Sequence, residues 1–163
     1  MSTSERKTIP KDMVTLRDLH HICLLVNNIE KTESNFAKLF GVGPFVATPY
    51  EAPTSKATVR GIHQGYKLKF ANVKIGPITL ELVEPVEGEC ELTESLKEQG
   101  EGLHHLAFCC PPPIDNELAK WKKLGIEPLQ VDKSIYEDPR YGWAYMDTEK
   151  LVGCVIEIVC FPP

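Results

Sequence analysis

The sequence predicts an α+β fold built from two tandem βαβββ modules, and three observations carry that prediction. The segment Leu19-His20-His21-Ile22 recurs 84 residues later as Leu103-His104-His105-Leu106. At the same spacing, Gly41-Val42-Gly43-Pro44-Phe45 recurs as Gly125-Ile126-Glu127-Pro128-Leu129. A third match, Thr79-Leu80-Glu81-Leu82-Val83 with Val155-Ile156-Glu157-Ile158-Val159, is offset by 76, so the second half has lost eight residues of loop. Ordered self-similarity of this kind marks a duplicated structural unit.

The elements follow in order. Residues 1–17 read as a loose polar arm with no apolar stretch of signal-peptide type. Residues 18–163 read as a single domain, with module one at about 18–88, a linker helix at about 91–100 and module two at about 102–161. Module one opens with a strand of β-branched and apolar residues at 22–26, stopped by the turn and helix-start pair Asn27-Asn28. Ile29, Phe36, Ala37 and Phe40 then form one helical stripe, with Gly41 as the C-terminal cap. Strands follow at about 45–48, 66–73 and 77–83, the last two joined by a tight turn at Ile75-Gly76. In the linker, Leu92 and Leu96 face inward and Gly100 ends the helix. Module two repeats the plan: a strand at 106–110 stopped by Pro111-Pro112-Pro113, then a helix from about Asp115 to the cap Gly125 with Leu118, Trp121 and Leu124 on its stripe. Strands complete it at about 127–132, 143–147 and 153–160.

Composition excludes several classes. The chain has 163 residues, 42% apolar and 25% charged, which suits one globular unit. A net charge of −5 argues against nucleic acid, whose phosphates need clustered Lys and Arg. No apolar run approaches the roughly 18 residues of a membrane span. Six cysteines lie mostly inside apolar runs without metal-binding spacing, so they read as buried thiols of a reducing cytoplasm.

Strand alternation gathers four residues. His21 shares a face with Cys23 and Leu25, Glu81 with Thr79 and Val83, His105 with Ala107 and Cys109, and Glu157 with Val155 and Val159. A carboxylate in the middle of an apolar strand needs a partner, because an uncompensated buried charge costs several kcal/mol. Each of these residues alone reads as a core His or an exposed Glu. Together, placed equivalently in two repeats, they read as one pseudo-twofold site for a single divalent metal (Co, Zn, Ni, Mn or Fe) with a coordination position left open. His20 and His104 are expected on the opposite strand face, in structural roles. His63, in a Gly-rich loop, is a candidate pocket residue. The loops at 49–64 and 133–141 are the expected specificity segments, and Arg60 and Arg140 within them are candidate anion binders.

With these residues in view, the chain resembles the vicinal oxygen chelate (glyoxalase) superfamily and, within it, the methylmalonyl-CoA epimerase-like branch. The resemblance runs from Leu19 to Phe161. It is carried by Leu19-His20-His21-Ile22, by Leu80-Glu81-Leu82-Val83-Glu84-Pro85, by Gly153-Cys154-Val155-Ile156-Glu157-Ile158 and above all by Gly100-Glu101-Gly102-Leu103-His104-His105-Leu106. It implies that the modules close into a curved mixed sheet around the metal site. It also implies a metal that binds substrate oxygens and stabilises an enolate while a base moves the proton α to the carbonyl. Glu157 or Glu81 would serve as that base. Epimerases of this branch use a further acid on a strand before the module-one hairpin. The stretch from Gly61 to Phe70 holds none, and His63 or Lys67 is the substitute.

The leading expectation is therefore a metal-dependent epimerase or isomerase acting on a small molecule, an acyl-CoA such as methylmalonyl-CoA, with Glu157, Glu81 and His63 as catalytic candidates. The alternatives are a lyase of lactoylglutathione type, a dioxygenase, or a non-catalytic small-molecule-binding protein of the same fold. The resemblance implies a homodimer, and the short apolar runs imply no membrane partner.

Overall fold

The computed structural model describes Val14, Leu16 and residues 18–163, so the expected arm otherwise lies outside the described residues. Module one runs β1 (Leu19–Leu25), α1 (Ile29–Phe40), β2 (Val46–Ala52), β3 (Ala57–Val59), β4 (Ile62–His63), β5 (Tyr66–Ile75) and β6 (Ile78–Glu87). After α2 (Glu91–Gln99), module two runs β7 (Gly102–Cys109), α3 (Ile114–Lys123), β8 (Pro128–Asp132), β9 (Gly142–Met146), α4 (Glu149–Val152) and β10 (Val155–Cys160).

Local chemistry explains the helices. The Asn28 side chain accepts from the Lys31 amide at 2.7 Å, satisfying one of the first orphan N–H groups of α1. Gly41, at φ 65°, closes the other end in the left-handed conformation that a Cβ disfavours. Of the stripe expected on α1, Ile29 is buried and Phe36 half-buried, while Ala37 and Phe40 are exposed. On α3 the same occurs: Ile114 and Trp121 are buried and Leu124 is exposed. Both helices thus hold the sheet by a narrower stripe than their sequences suggest.

The strands form one mixed sheet of order β2-β5-β6-β1-β7-β10-β9-β8-β3-β4, curled into a half-barrel. Within each module the outer hairpin pairs parallel to the first strand, β6 to β1 and β10 to β7, and the modules join through the antiparallel pair β1 and β7. Helices α1 and α3 cover the convex face, over Ala71 and Leu82 on one side and Ala144, Ile156 and Ile158 on the other. The concave face carries the remaining core, including Cys23, Leu25, Leu68, Val83, Ala107, Trp143 and Tyr145.

One feature departs from a plain βαβββ repeat. The connection between β2 and β5, expected as a loop, forms the hairpin β3–β4 and pairs with β8, at the far edge of the other module. Asp132 on β8, fully buried, then accepts hydrogen bonds from Tyr50 of β2 at 2.7 Å and from Tyr66 of β5. Ser134 donates its amide and hydroxyl to the other carboxylate oxygen. Four donors satisfy a buried carboxylate and sew module one across the edge of module two. The turn into β9 depends on Gly142, where a Cβ would stand 2.3 Å from the Asp132 carbonyl oxygen.

Candidate metal centre

The register of the sheet builds the site. His21 on β1, Ala107 on β7 and Glu157 on β10 stand side by side in one row. In the next row, Glu81 on β6 and His105 on β7 flank Cys23 on β1. Each His therefore meets the Glu of the other module across one small, fully buried residue. The donor atoms converge as a result. His21 Nε2 lies 3.0 Å from His105 Nε2, 3.2 Å from Glu81 Oε2 and 3.1 Å from Glu157 Oε2. His105 Nε2 lies 3.1 Å from Glu157 Oε2 and 3.8 Å from Glu81 Oε2. His21, Glu81 and His105 offer ligand atoms all within 4.8 Å of one another, the arrangement that can hold a metal ion.

Electrostatics point the same way. Glu157 is 5% exposed, and its Oε2 has no hydrogen-bond donor although it faces two ring nitrogens. Burial pushes its carboxyl up, but His105 and His21 outweigh that and bring it down to about 2. Burial disfavours a charged His21, yet the neighbouring Glu157 and Glu81 carboxylates outweigh it and raise it to about 10. His105 is pushed down by its complete burial. Both shifts favour a charged His21 between the carboxylates. A divalent cation fits the same place: for bonds of about 2.0–2.2 Å a tetrahedral shell has donor separations of roughly 3.3–3.6 Å, close to the five separations above, although the group whose ligand atoms all lie within 4.8 Å of one another is His21, Glu81 and His105, without Glu157.

Two β-bulges reshape the expectation for His20 and His104. Leu19 and His21 face consecutive residues of β7, leaving His20 as an extra residue, and Cys23 and Leu24 do the same to His104. A bulge re-aims the side chain it adds. Instead of the opposite face, His20 Nδ1 lies 2.8 Å from His21 Nδ1, and His104 Nδ1 lies 2.8 Å from His105 Nδ1. Beyond His104, Nε2 lies 2.7 Å from Glu91 Oε2 at the start of α2.

The cluster opens onto a cavity of about 330 Å³. Phe70, Trp143, Tyr145 and Phe161 form its apolar walls, while Asn72, Thr48 and His20 supply polar atoms. Trp143 and Tyr145 belong to the core and line this cavity as well. His63 is elsewhere. It stands on β4 opposite Thr58, which pairs with Val131, so it shares the convex face and lines an outer groove with Leu118. Arg60 and Arg140 are also outside the cavity, each holding a carboxylate of its own, Glu94 at 2.8 Å and Asp138 at 2.7 Å. Asn72 and Phe70 escaped the sequence reading, although pairing outward from the Gly76 turn puts Asn72 opposite Glu81.

Comparisons agree with this architecture. The Bacillus subtilis (strain 168) protein YqjC is 29% identical over 92 residues, a match that spans 56% of either chain. A hypothetical protein from Bacillus halodurans C-125 superposes with a TM-score of 0.62 at 19% identity, covering 90% of this chain and 95% of that one. A Streptomyces coelicolor methylmalonyl-CoA epimerase in complex with 2-nitronate-propionyl-CoA gives 0.60 at 19% identity, over 91% and 100%. The Mycobacterium tuberculosis methylmalonyl-CoA epimerase gives 0.58 at 15% identity, over 98% and 97%. Such identities speak for the fold. The family described as glyoxalase/bleomycin resistance protein/dioxygenase superfamily matches residues 20–146, and the chain belongs to it.

Proposed function

We propose that the protein is a metal-dependent epimerase or isomerase that moves a proton α to a carbonyl, with an acyl-CoA of the methylmalonyl-CoA type as its substrate class. The observation that carries this reading is the meeting of two imidazoles and two carboxylates, one of them without a donor, on the floor of an apolar-walled cavity. His21, Glu81, His105 and Glu157 would hold one divalent ion, whose chemistry is Lewis-acid stabilisation of charge developing on a substrate oxygen. Glu81, at 3.2 and 3.8 Å from the two ring nitrogens, is the more loosely held carboxylate and the better placed to take a proton. The apolar walls exclude water, which strengthens every charge interaction at the reacting carbon. Likeness to epimerase structures supports the substrate class.

A second reading has one observation in its favour. Apart from Glu81 and Glu157, no carboxylate among the described residues lines the cavity, so a two-base epimerisation lacks an acid of its own on the second face there. A lyase of lactoylglutathione type, working with one carboxylate, needs none. Metal analysis of the purified protein, followed by solvent deuterium exchange into 2-substituted acyl-CoA thioesters, separates these. Bound metal with exchange supports the epimerase; bound metal without exchange, and turnover of a glutathione hemithioacetal, moves the assignment to the lyase. Metal-free protein that takes up no added divalent ion ends both.

No described helix is long and apolar enough to cross a membrane. Six free cysteines support a cytoplasmic setting, and a homodimer completes the proposal, to be tested by light scattering.

A further inference from the structure

A buried line of side chains runs from the ligand cluster to the start of α2, and the reaction proposed above makes no use of it. His105 is fully buried, with Nδ1 2.8 Å from Nδ1 of His104, which is 7% exposed. His104 Nε2 lies 2.7 Å from Glu91 Oε2, and Glu91 is 4% exposed. The other Glu91 oxygen accepts from the Ser95 hydroxyl at 2.7 Å, and the Glu91 amide donates to the Gln130 side chain at 2.8 Å. Glu91 opens α2, where the helix dipole favours a carboxylate.

The proton positions follow from what each group can do. Glu91 Oε2 and His104 Nε2 stand 2.7 Å apart and neither has another partner; a carboxylate only accepts, so the arrangement that satisfies both atoms places the proton on His104 Nε2. A neutral imidazole protonated at Nε2 presents a bare Nδ1. His105 Nδ1, facing it, therefore carries a proton and donates it. His105 Nε2 is left with its lone pair pointing at His21, Glu81 and Glu157. The bulge at His104 makes the line possible, because on a regular strand that ring would face the other way.

We propose that Glu91 and His104 are positioning residues that lock His105 in the Nδ1–H tautomer and orient its Nε2 as a metal ligand. Ligating histidines elsewhere are commonly held by a carboxylate on the far ring nitrogen, and loss of that support costs about 10–100-fold in metal affinity. Here a second ring stands between the carboxylate and the ligand. Module one lacks the device among the described residues: His20 makes the same 2.8 Å contact with His21 but lines the cavity and meets no described carboxylate at ion-pair distance. The inference rests on the metal-site reading, and one of its tests does not need the metal.

That test is a long-range ¹⁵N–¹H spectrum of the metal-free protein with labelled histidine. His105 is expected as the Nδ1–H tautomer, and an Nε2–H tautomer overturns the proposal. In a competition titration with Zn²⁺, His104→Phe is expected to weaken binding about 10–100-fold, and His104→Gln, whose carbonyl can accept from Nδ1–H, to recover part of it. Glu91→Leu should weaken binding in the parent and add nothing in the His104→Phe background. Affinity of His104→Phe within about twofold of the parent, or an equal Glu91→Leu cost in both backgrounds, reduces the pair to a buried tether for α2. A parent that binds no Zn²⁺ removes the metal site itself, and the tautomer spectrum then decides the role of Glu91 and His104 alone.

Discussion

The two modules present matching positions in unlike surroundings. Asn72 stands opposite Glu81 as Tyr145 stands opposite Glu157, and Phe70 stands opposite Val83 as Trp143 stands opposite Val159. Next along, Thr48 pairs with Phe70 and Asp132 with Trp143. In module one this wall is partly or fully exposed; in module two Asp132, Trp143 and Tyr145 are all buried. The cause is the hairpin β3–β4, which covers the β8 edge, together with the two tyrosines drawn across to Asp132. Duplication thus supplies a symmetrical set of donors, and the packing around it is unequal. Both walls line the cavity, but the module-two wall is core as well, while the module-one wall is more open.

The largest effect that tests this contrast is on stability. Trp143→Ala is expected to cost about 3–5 kcal/mol in denaturant unfolding, as for large buried aromatics. Phe70→Ala, on the open wall, should cost under about 2 kcal/mol while changing ligand binding more. Equal costs would mean that the walls do not differ in the way their burial indicates.

Next comes the metal. Glu157, with two short contacts and almost no exposure, should matter more than Glu81. Glu157→Gln is expected to weaken divalent binding by more than roughly 100-fold and Glu81→Gln by nearer 10-fold, read by chelator competition. A reversed order would break the asymmetry between the two carboxylates.

Proton linkage gives a smaller, signed effect. His21 is held at about 10, above its unfolded value of 6.5, so its stabilising contribution to the metal-free protein is complete below pH 6.5 and fades as pH rises through 10. Metal uptake between about pH 7 and 9 should therefore release close to one proton, with affinity rising roughly tenfold per pH unit. Calorimetry in buffers of different ionisation enthalpy measures the proton directly, and no release would mean that His21 is already neutral. A further effect lies at the seam between the modules. Tyr66→Phe is expected to cost about 1–3 kcal/mol, because it removes a buried donor from Asp132. Tyr50→Phe should cost about 1 kcal/mol, since Tyr50 is only half-buried.

Much of the frame was legible in the chain because the repeat and the strand period report local facts. Asn28, Gly41 and the shared face of His21, Glu81, His105 and Glu157 needed only short-range rules. Three things were not legible. The bulges at His20 and His104 reverse a side chain through a one-residue mismatch that exists only between partner strands. The hairpin β3–β4 is fixed by pairing with a strand some 70 residues away, and nothing in its own pattern announces that. The same pairing turned His63 to the convex face, away from the role expected of it. Those are non-local effects, and a single sequence carries little trace of them.

The hairpin also decides how the sheet ends. A sheet with bare edges invites further strands to add to it. On one side the last strand here is β4, only two residues long, and on the other is β2, with Pro49 at its centre. A two-residue strand offers almost no ladder, and a proline withdraws a donor from the other. The feature that closes the half-barrel therefore also blunts it against edge-to-edge assembly.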